Sequence, residues 1–115
     1  KRGEAVAMAA DQVPAKNMGV YEEFFGRKVY TTNLIPSLHV KTKAPIVSVA
    51  IHSDNLTNKL YIRYGSKSTY KEKPQYNAKA MNDEIEKIIN INPEDYNWEY
   101  KRFKKQEVED KTIYK

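Results

Sequence analysis

The sequence predicts an α/β fold, half of an α/β sandwich with about three strands and three helices. Three observations point there. Ala5 to Ala10 is a short continuous apolar run, the pattern of a strand covered on both faces as in parallel sheets. Ile46 to His52 is rich in β-branched residues and is followed, after a turn, by the alternating stretch Leu60 to Tyr64. Ala78, Met81, Ile85, Ile88 and Ile89 repeat at the spacing of one helix face.

Taken in order, the first run consists of small residues and ends on Asp11-Gln12, so a strand is expected and a helical segment stays open. A loop containing Pro14, Asn17 and Gly19 follows, then Val20-Tyr21 and the compact Phe24-Phe25-Gly26. Thr32 or Asn33 can cap a helix reaching about Lys43, with Leu34, Ile35 and Leu38 inward. Pro36 is tolerated because it falls in the first turn.

Pro45 starts the strand Ile46 to His52, and Asp54-Asn55 opens a turn to Asn58. The next strand places Leu60, Ile62 and Tyr64 on one face and Tyr61 and Arg63 on the other. Gly65 to Tyr76 is polar and expected to be a loop; Asn77 caps a helix to about Ile91. A last short helix is expected from Asn92-Pro93, with Glu94 and Asp95 at the positive end of its dipole. It would carry Tyr96, Tyr100 and Phe103 on one face and end in cations around Phe103. Residues 106–115 are expected to be a charged tail that can fray, beyond a domain expected to span residues 1–105. A right-handed crossover would set the first two strands parallel and pair the third antiparallel to the second. Ligands of such sheets bind beyond the carboxyl ends of the parallel strands, which directs attention to Asp11, Gln12 and the loop to Arg27.

The 115 residues suffice for one domain that buries roughly two-thirds of its unfolded surface. Twenty Lys and Arg against 15 Asp and Glu give a net charge of +5. That excess is compatible with anionic lipid, nucleic acid or an acidic carrier protein and selects none of them. The absence of cysteine excludes disulfides and thiolate chemistry. No apolar run approaches the roughly 20 residues of a membrane span. The chain starts at Lys1, close to what reads as a buried strand, so the C-terminal piece of a longer protein is expected.

His39 and His52 are the only histidines, and neither has a second His or Cys at metal-ligand spacing, so neither a metal nor a cofactor is expected. No serine sits in a Gly-x-Ser-x-Gly turn, and no glycine-rich phosphate loop exists. On its own residues the chain does not look catalytic. Asp11, at the end of an apolar strand, is suited either to orienting a substrate hydroxyl or to capping the next turn; Gln12 adds a donor and an acceptor. Phe24-Phe25-Gly26-Arg27 offers two large apolar surfaces and a guanidinium suited to phosphate or carboxylate, although adjacent aromatics equally serve a core.

Asp11-Gln12, Gly19, Phe24-Phe25-Gly26, Thr31-Thr32 and Ala44-Pro45-Ile46-Val47 occur in order before the ending Pro93-x-x-Tyr96-x-Trp98-x-x-x-Arg102-Phe103-Lys104. Together they resemble the C-terminal part of bacterial lipid A biosynthesis acyltransferases, the lauroyl and myristoyl transferases. The resemblance runs from Gly3 to Lys104, and its closing motif is the most specific part. It implies the C-terminal half of a glycerolphosphate-acyltransferase-like α/β sandwich, in an enzyme at the cytoplasmic face of the bacterial inner membrane. Such enzymes move a fatty acyl group from acyl carrier protein, or acyl-CoA, onto a hydroxyacyl chain of the lipid A precursor.

The family's base is a His followed, after four residues, by Asp or Glu. Five positions after His39 stands Ala44, and five after His52 stands Thr57, so neither completes that pair and it is expected upstream. Tyr100 occupies a position where relatives often carry a histidine. By resemblance, Asp11 and Gln12 line a substrate groove, and Phe24 and Phe25 with Gly26 wall the acyl channel; Arg27, which the resemblance does not single out, is suited to phosphate by its guanidinium. Trp98, Lys101, Arg102 and Lys104 would meet the membrane surface and anionic lipid, with packing of the last helix as the alternative for Trp98 and Arg102. A different class, a small basic module for RNA or an acidic protein, would interleave the nine tyrosines with lysines on an exposed surface. The aromatics fall instead on expected core faces, so no nucleic acid is expected.

Overall fold

The computed structural model describes residues 3–53, 56–64 and 77–105. The expected turn at 54–55, the loop at 65–76 and the tail at 106–115 lie outside the described residues, as do the side-chain faces expected for 60–64. The fold is mixed α/β; the described residues form two antiparallel hairpins and two α-helices.

The first hairpin was not anticipated. Strand β1 (Gly19–Phe24) pairs with β2 (Arg27–Thr32), from Gly19 opposite Thr32 to Phe24 opposite Arg27. Its two-residue turn is Phe25-Gly26, with φ of 47° and 71°. Positive φ at both central positions matches the right-handed twist of the flanking strands, which is why glycine is favoured at such turns. Phe25 adopts the same region without that freedom. Glu23 opposite Lys28 adds an opposite-charge cross-strand pair. A methyl group at Gly19 would meet the Thr31 carbonyl oxygen at 2.5 Å and the Pro14 ring at 2.6 Å, so the preceding loop can pass this close only over a glycine.

Helix α1 (Leu34–Thr42) falls where expected. Thr32 Oγ1, not the Asn33 side chain, accepts from the Leu34 backbone N–H. The helix ends on Lys43 in the left-handed region, where the His39 ring donates from Nδ1 to the Ala44 carbonyl. The expected inward positions need correction: Leu34 and Leu38 are exposed, Ile35 is half-buried, and the buried residue is Pro36.

Strand β3 (Val47–Ser53) pairs antiparallel with β4 (Asn58–Tyr64), as the alternation predicted. Helix α2 (Ala78–Ile89) is capped by Asn77, whose side chain accepts from the Ala80 N–H. Its expected stripe is inward: Ala78, Met81, Ile88 and Ile89 are buried and Ile85 is half-buried. The stripe packs against β1.

Two expectations are overturned. Residues 5–9 form no strand and are exposed. The sheets consist of β1-β2 and β3-β4 alone, so an extended run of small residues has no ladder partner among the described residues. The parallel crossover therefore does not form. The last helix is also absent: Pro93–Asp95 is a single 3-10 turn, followed by turns to Lys105. Asn92 does not cap it; its Nδ2 donates to the Ser53 carbonyl and to Asp95. Asp95 in turn accepts from the Ser53 N–H and hydroxyl, both at 2.6 Å. Side chains that would have served a helix are spent on the end of β3.

The core lies between the first hairpin, α2 and the closing segment. Phe24, Val29, Ile89 and Phe103 form its centre, with Phe25, Ile85 and Tyr96 packed against it.

Candidate functional site

The loop after residue 10 and the closing segment are 85 residues apart in sequence and meet in space. Tyr96 donates its hydroxyl to Asp11 Oδ2 at 3.2 Å, and the Val13 N–H donates to the Tyr100 hydroxyl at 2.7 Å. Asp11 is half-buried by this clamp, whereas Gln12 is exposed.

An aromatic series continues from there. Tyr96 meets Trp98 edge-on at 4.7 Å, Trp98 lies 6.1 Å from Phe25, and Phe25 meets Phe24 edge-on at 4.9 Å. Phe24 then reaches Phe103 at 5.7 Å in the core. Edge-to-face pairs of this kind contribute about 0.5–1.5 kcal/mol beyond area burial. The series runs from solvent to interior: Trp98 is 49% exposed, Phe25 is half-buried, and Phe24 is fully enclosed. Trp98 is held by donating Nε1–H to the Pro93 carbonyl at 2.8 Å.

The hairpin tip is fixed from α2. Glu86 Oε1 accepts from the Phe25 N–H at 2.7 Å, across 61 residues. Gly26 and Arg27 are exposed beside it.

Arg102 is 1% exposed and points inward. Its guanidinium donates to the Tyr30 carbonyl at 2.9 Å and to Thr31 Oγ1 at 2.8 Å, and stands 5.0 Å over the Phe24 ring. Asn82 completes the network, donating to Thr31 Oγ1 and to the Glu23 carbonyl. The packing alternative thus describes its geometry: Arg102 fastens the closing segment to the hairpin. Lys101 and Lys104 remain on the exterior, Lys104 with its ammonium 5.7 Å from the Tyr100 ring.

The structure therefore joins Asp11, Phe24, Phe25, Trp98 and Arg102 into one continuous cluster. Gln12, Gly26, Arg27, Lys101 and Lys104 are exposed in the segments around it. The sequence reading missed Asn82 and Glu86. Asn82 had a signal, because it interrupts an apolar stripe between Ala78 and Ile85 at a position that must face inward. Glu86 had none.

Away from this cluster, His52 is buried with Nδ1 3.8 Å from Asp95 Oδ2. Hydrogen bonds from the Ser53 hydroxyl and N–H hold the Asp95 carboxyl below the usual carboxylate range. Hydrogen bonding to Asp83 raises the Lys79 pKa. Neither shift belongs to the aromatic site. Among the described residues no three acidic or histidine side chains come together as a metal-binding group, and no helix is long and apolar enough to cross a membrane.

A family model described as bacterial lipid A biosynthesis acyltransferase matches residues 1–105. A comparison with curated proteins returned no match.

Proposed function

Since the chain belongs to the bacterial lipid A biosynthesis acyltransferase family, we propose that it forms the acceptor-side cradle of an acyl transfer whose base lies outside it. Acyl transfer in lipid A and lipopolysaccharide biosynthesis is the family's general activity. The finer reading is transfer of a fatty acyl group, lauroyl or similar, from acyl carrier protein or acyl-CoA to a hydroxyacyl chain of the lipid A precursor, Kdo2-lipid IVA. The setting is the cytoplasmic face of the inner membrane.

The reaction needs a base that takes the acceptor hydroxyl proton as the oxygen attacks the thioester carbonyl. The carbon–sulfur bond breaks, an ester forms, and the thiol leaves with a proton. Neither His39 nor His52 is followed by a carboxylate at the family's spacing, and the His39 ring is engaged with the Ala44 carbonyl. The base is therefore assigned to an upstream His-x4-Asp/Glu element.

The carrying observation is the clamp that joins Asp11 to the Tyr96–Trp98 segment beside the Phe25 tip. Asp11 and Gln12 line the acceptor groove, Phe25 gives it an apolar wall backed by Phe24, and Gly26 lets the chain turn there. The Arg27 guanidinium, exposed beside the tip, has the chemistry to meet a phosphate. Trp98, Lys101 and Lys104 face the anionic lipid boundary, where an indole and ammonium groups are favoured. Arg102 supports that surface from within.

The purified 115-residue chain, incubated with acyl carrier protein thioester and precursor, is expected to bind precursor and form no acylated product. Product formation would place the base inside this chain and overturn the assignment. Failure to bind precursor would remove the cradle.

A further inference from the structure

We infer that the outer edge of β3 pairs with the same edge of a second copy of this chain, antiparallel and centred on Val49, joining two β3-β4 hairpins into one continuous sheet. This contact stands independently of the acyl-transfer reading.

Along an antiparallel strand, the backbone N–H and C=O of successive residues point alternately to the two sides. Ser53 shows which residues point outward. Its N–H donates to Asp95 and its carbonyl accepts from the Asn92 side chain, and neither partner belongs to β4. Val47, Val49 and Ile51 lie at the same alternation and direct their backbone groups to the same outer side. Among the described residues no strand pairs with that side. The same three residues are exposed, whereas Ser48, Ala50 and His52 between them are half-buried or buried. Edge strands are ordinarily protected by a lysine, a proline or a bulge. Val47–Ser53 contains no Asp, Glu, Lys, Arg or Pro. Its register with β4 runs unbroken from Val47 opposite Tyr64 to Ser53 opposite Asn58.

The backbone groups decide what can cover this edge. Lipid hydrocarbon would meet the aliphatic side chains but leave the outward N–H and C=O groups without partners. A charged ligand would find no opposite charge on the strand. A second β3 supplies donors and acceptors in the same alternation, with β-branched side chains to match. Ser53 sets the register, because its backbone groups are already engaged by Asp95 and Asn92. Val49 opposite Val49 of the second copy, and Val47 opposite Ile51 of the second copy, leaves Ser53 undisturbed. Such a contact is isologous and closes as a dimer. Charge also favours this edge over the other one. Lys59 and Arg63 stand on β4, so a seam at β3 keeps them one strand away when two chains of net charge +5 meet. A hairpin that is marginal as an isolated pair gains support from the added strands.

Sedimentation of the 115-residue chain over a concentration series tests this, with a reversible monomer–dimer equilibrium expected. Val49→Lys and Val49→Glu each set like charges face to face at the seam and should weaken dimerisation roughly tenfold or more. An equimolar mixture of those two variants should restore it, since opposite charges then meet. Val49→Pro removes an outward N–H and spares the β4 ladder, so it should give monomers with an unchanged circular dichroism spectrum. A wild-type chain that stays monomeric overturns the inference, including the case in which it binds phosphatidylglycerol vesicles instead. Dimers that persist in all three variants place the contact elsewhere and overturn it equally. Variants that dissociate singly and stay apart when mixed would refute the register centred on Val49.

Discussion

The two hairpins of this protein have similar strand lengths and opposite fates. In the β1-β2 hairpin, Phe24, Val29, Tyr30 and Thr31 are buried, and the outer edge of β2 is partly paired, because the Tyr30 N–H donates to the Lys105 carbonyl. In the β3-β4 hairpin, Val47, Val49 and Ile51 are 41, 55 and 67% exposed. The hairpin with fewer aliphatic β-branched residues holds the core. Strand propensity reports a fit to a pleated surface, and what lies against that surface decides burial. Here α2 and the closing segment lie against the first hairpin, with Asn82, Arg102 and Phe103 inserted into it. Among the described residues the second is tied at the end of β3, where Asp95 and Asn92 grip Ser53.

The contrast predicts unequal sensitivity to mutation. Phe24→Ala should cost about 4 kcal/mol in urea unfolding, since it empties the centre of the core. That is a large fraction of the roughly 5–15 kcal/mol available to a domain. Arg102→Ala comes next at about 3 kcal/mol, because it removes charge-assisted hydrogen bonds and leaves the Tyr30 carbonyl and Thr31 inside without them. Ile51→Thr on the open face should change stability by no more than about 0.5 kcal/mol. A cost for Ile51→Thr comparable to that of Phe24→Ala would abolish the distinction between the hairpins.

The smallest effect is a local one, at the attachment of β3. Asp95 has a depressed pKa because Ser53 donates to its carboxylate. Its contribution is therefore complete above the ordinary aspartate value of about 3.9 and is lost as the pH falls through the lower folded value. The Ser53 amide resonance should move over that acidic window while the Phe24 and Val29 amides stay still. A Ser53 resonance that titrates near neutral pH instead would break the assignment to Asp95.

Several elements were legible because their determinants are local. Asn77 and the stripe from Ala78 to Ile89 give a cap and a period, and the helix follows them closely. Pro45 and the run from Ile46 mark β3 within one residue of its start. The first hairpin was missed since its turn is Phe25-Gly26 rather than a familiar Asn-Gly pair, although Glu23 and Lys28 sit symmetrically about it. The closing segment misled for a different reason. Asn92 and Asp95 have the right chemistry for a helix start, and both side chains found partners on β3 instead. For the site, Asp11, Phe25 and Trp98 were visible through the family motif, whereas Glu86 acts from 61 residues away and leaves no trace in spacing.

By itself, then, the sequence determined α1, α2, the pairing of β3 with β4 and the family, because caps, periodicity and motif order are written in neighbouring residues. Tertiary structure alone decided which apolar strand is buried, that Arg102 points inward, and that Asp11 meets Tyr96. Those outcomes depend on side chains competing for partners far along the chain, where desolvation and hydrogen bonding are settled only once the segments meet.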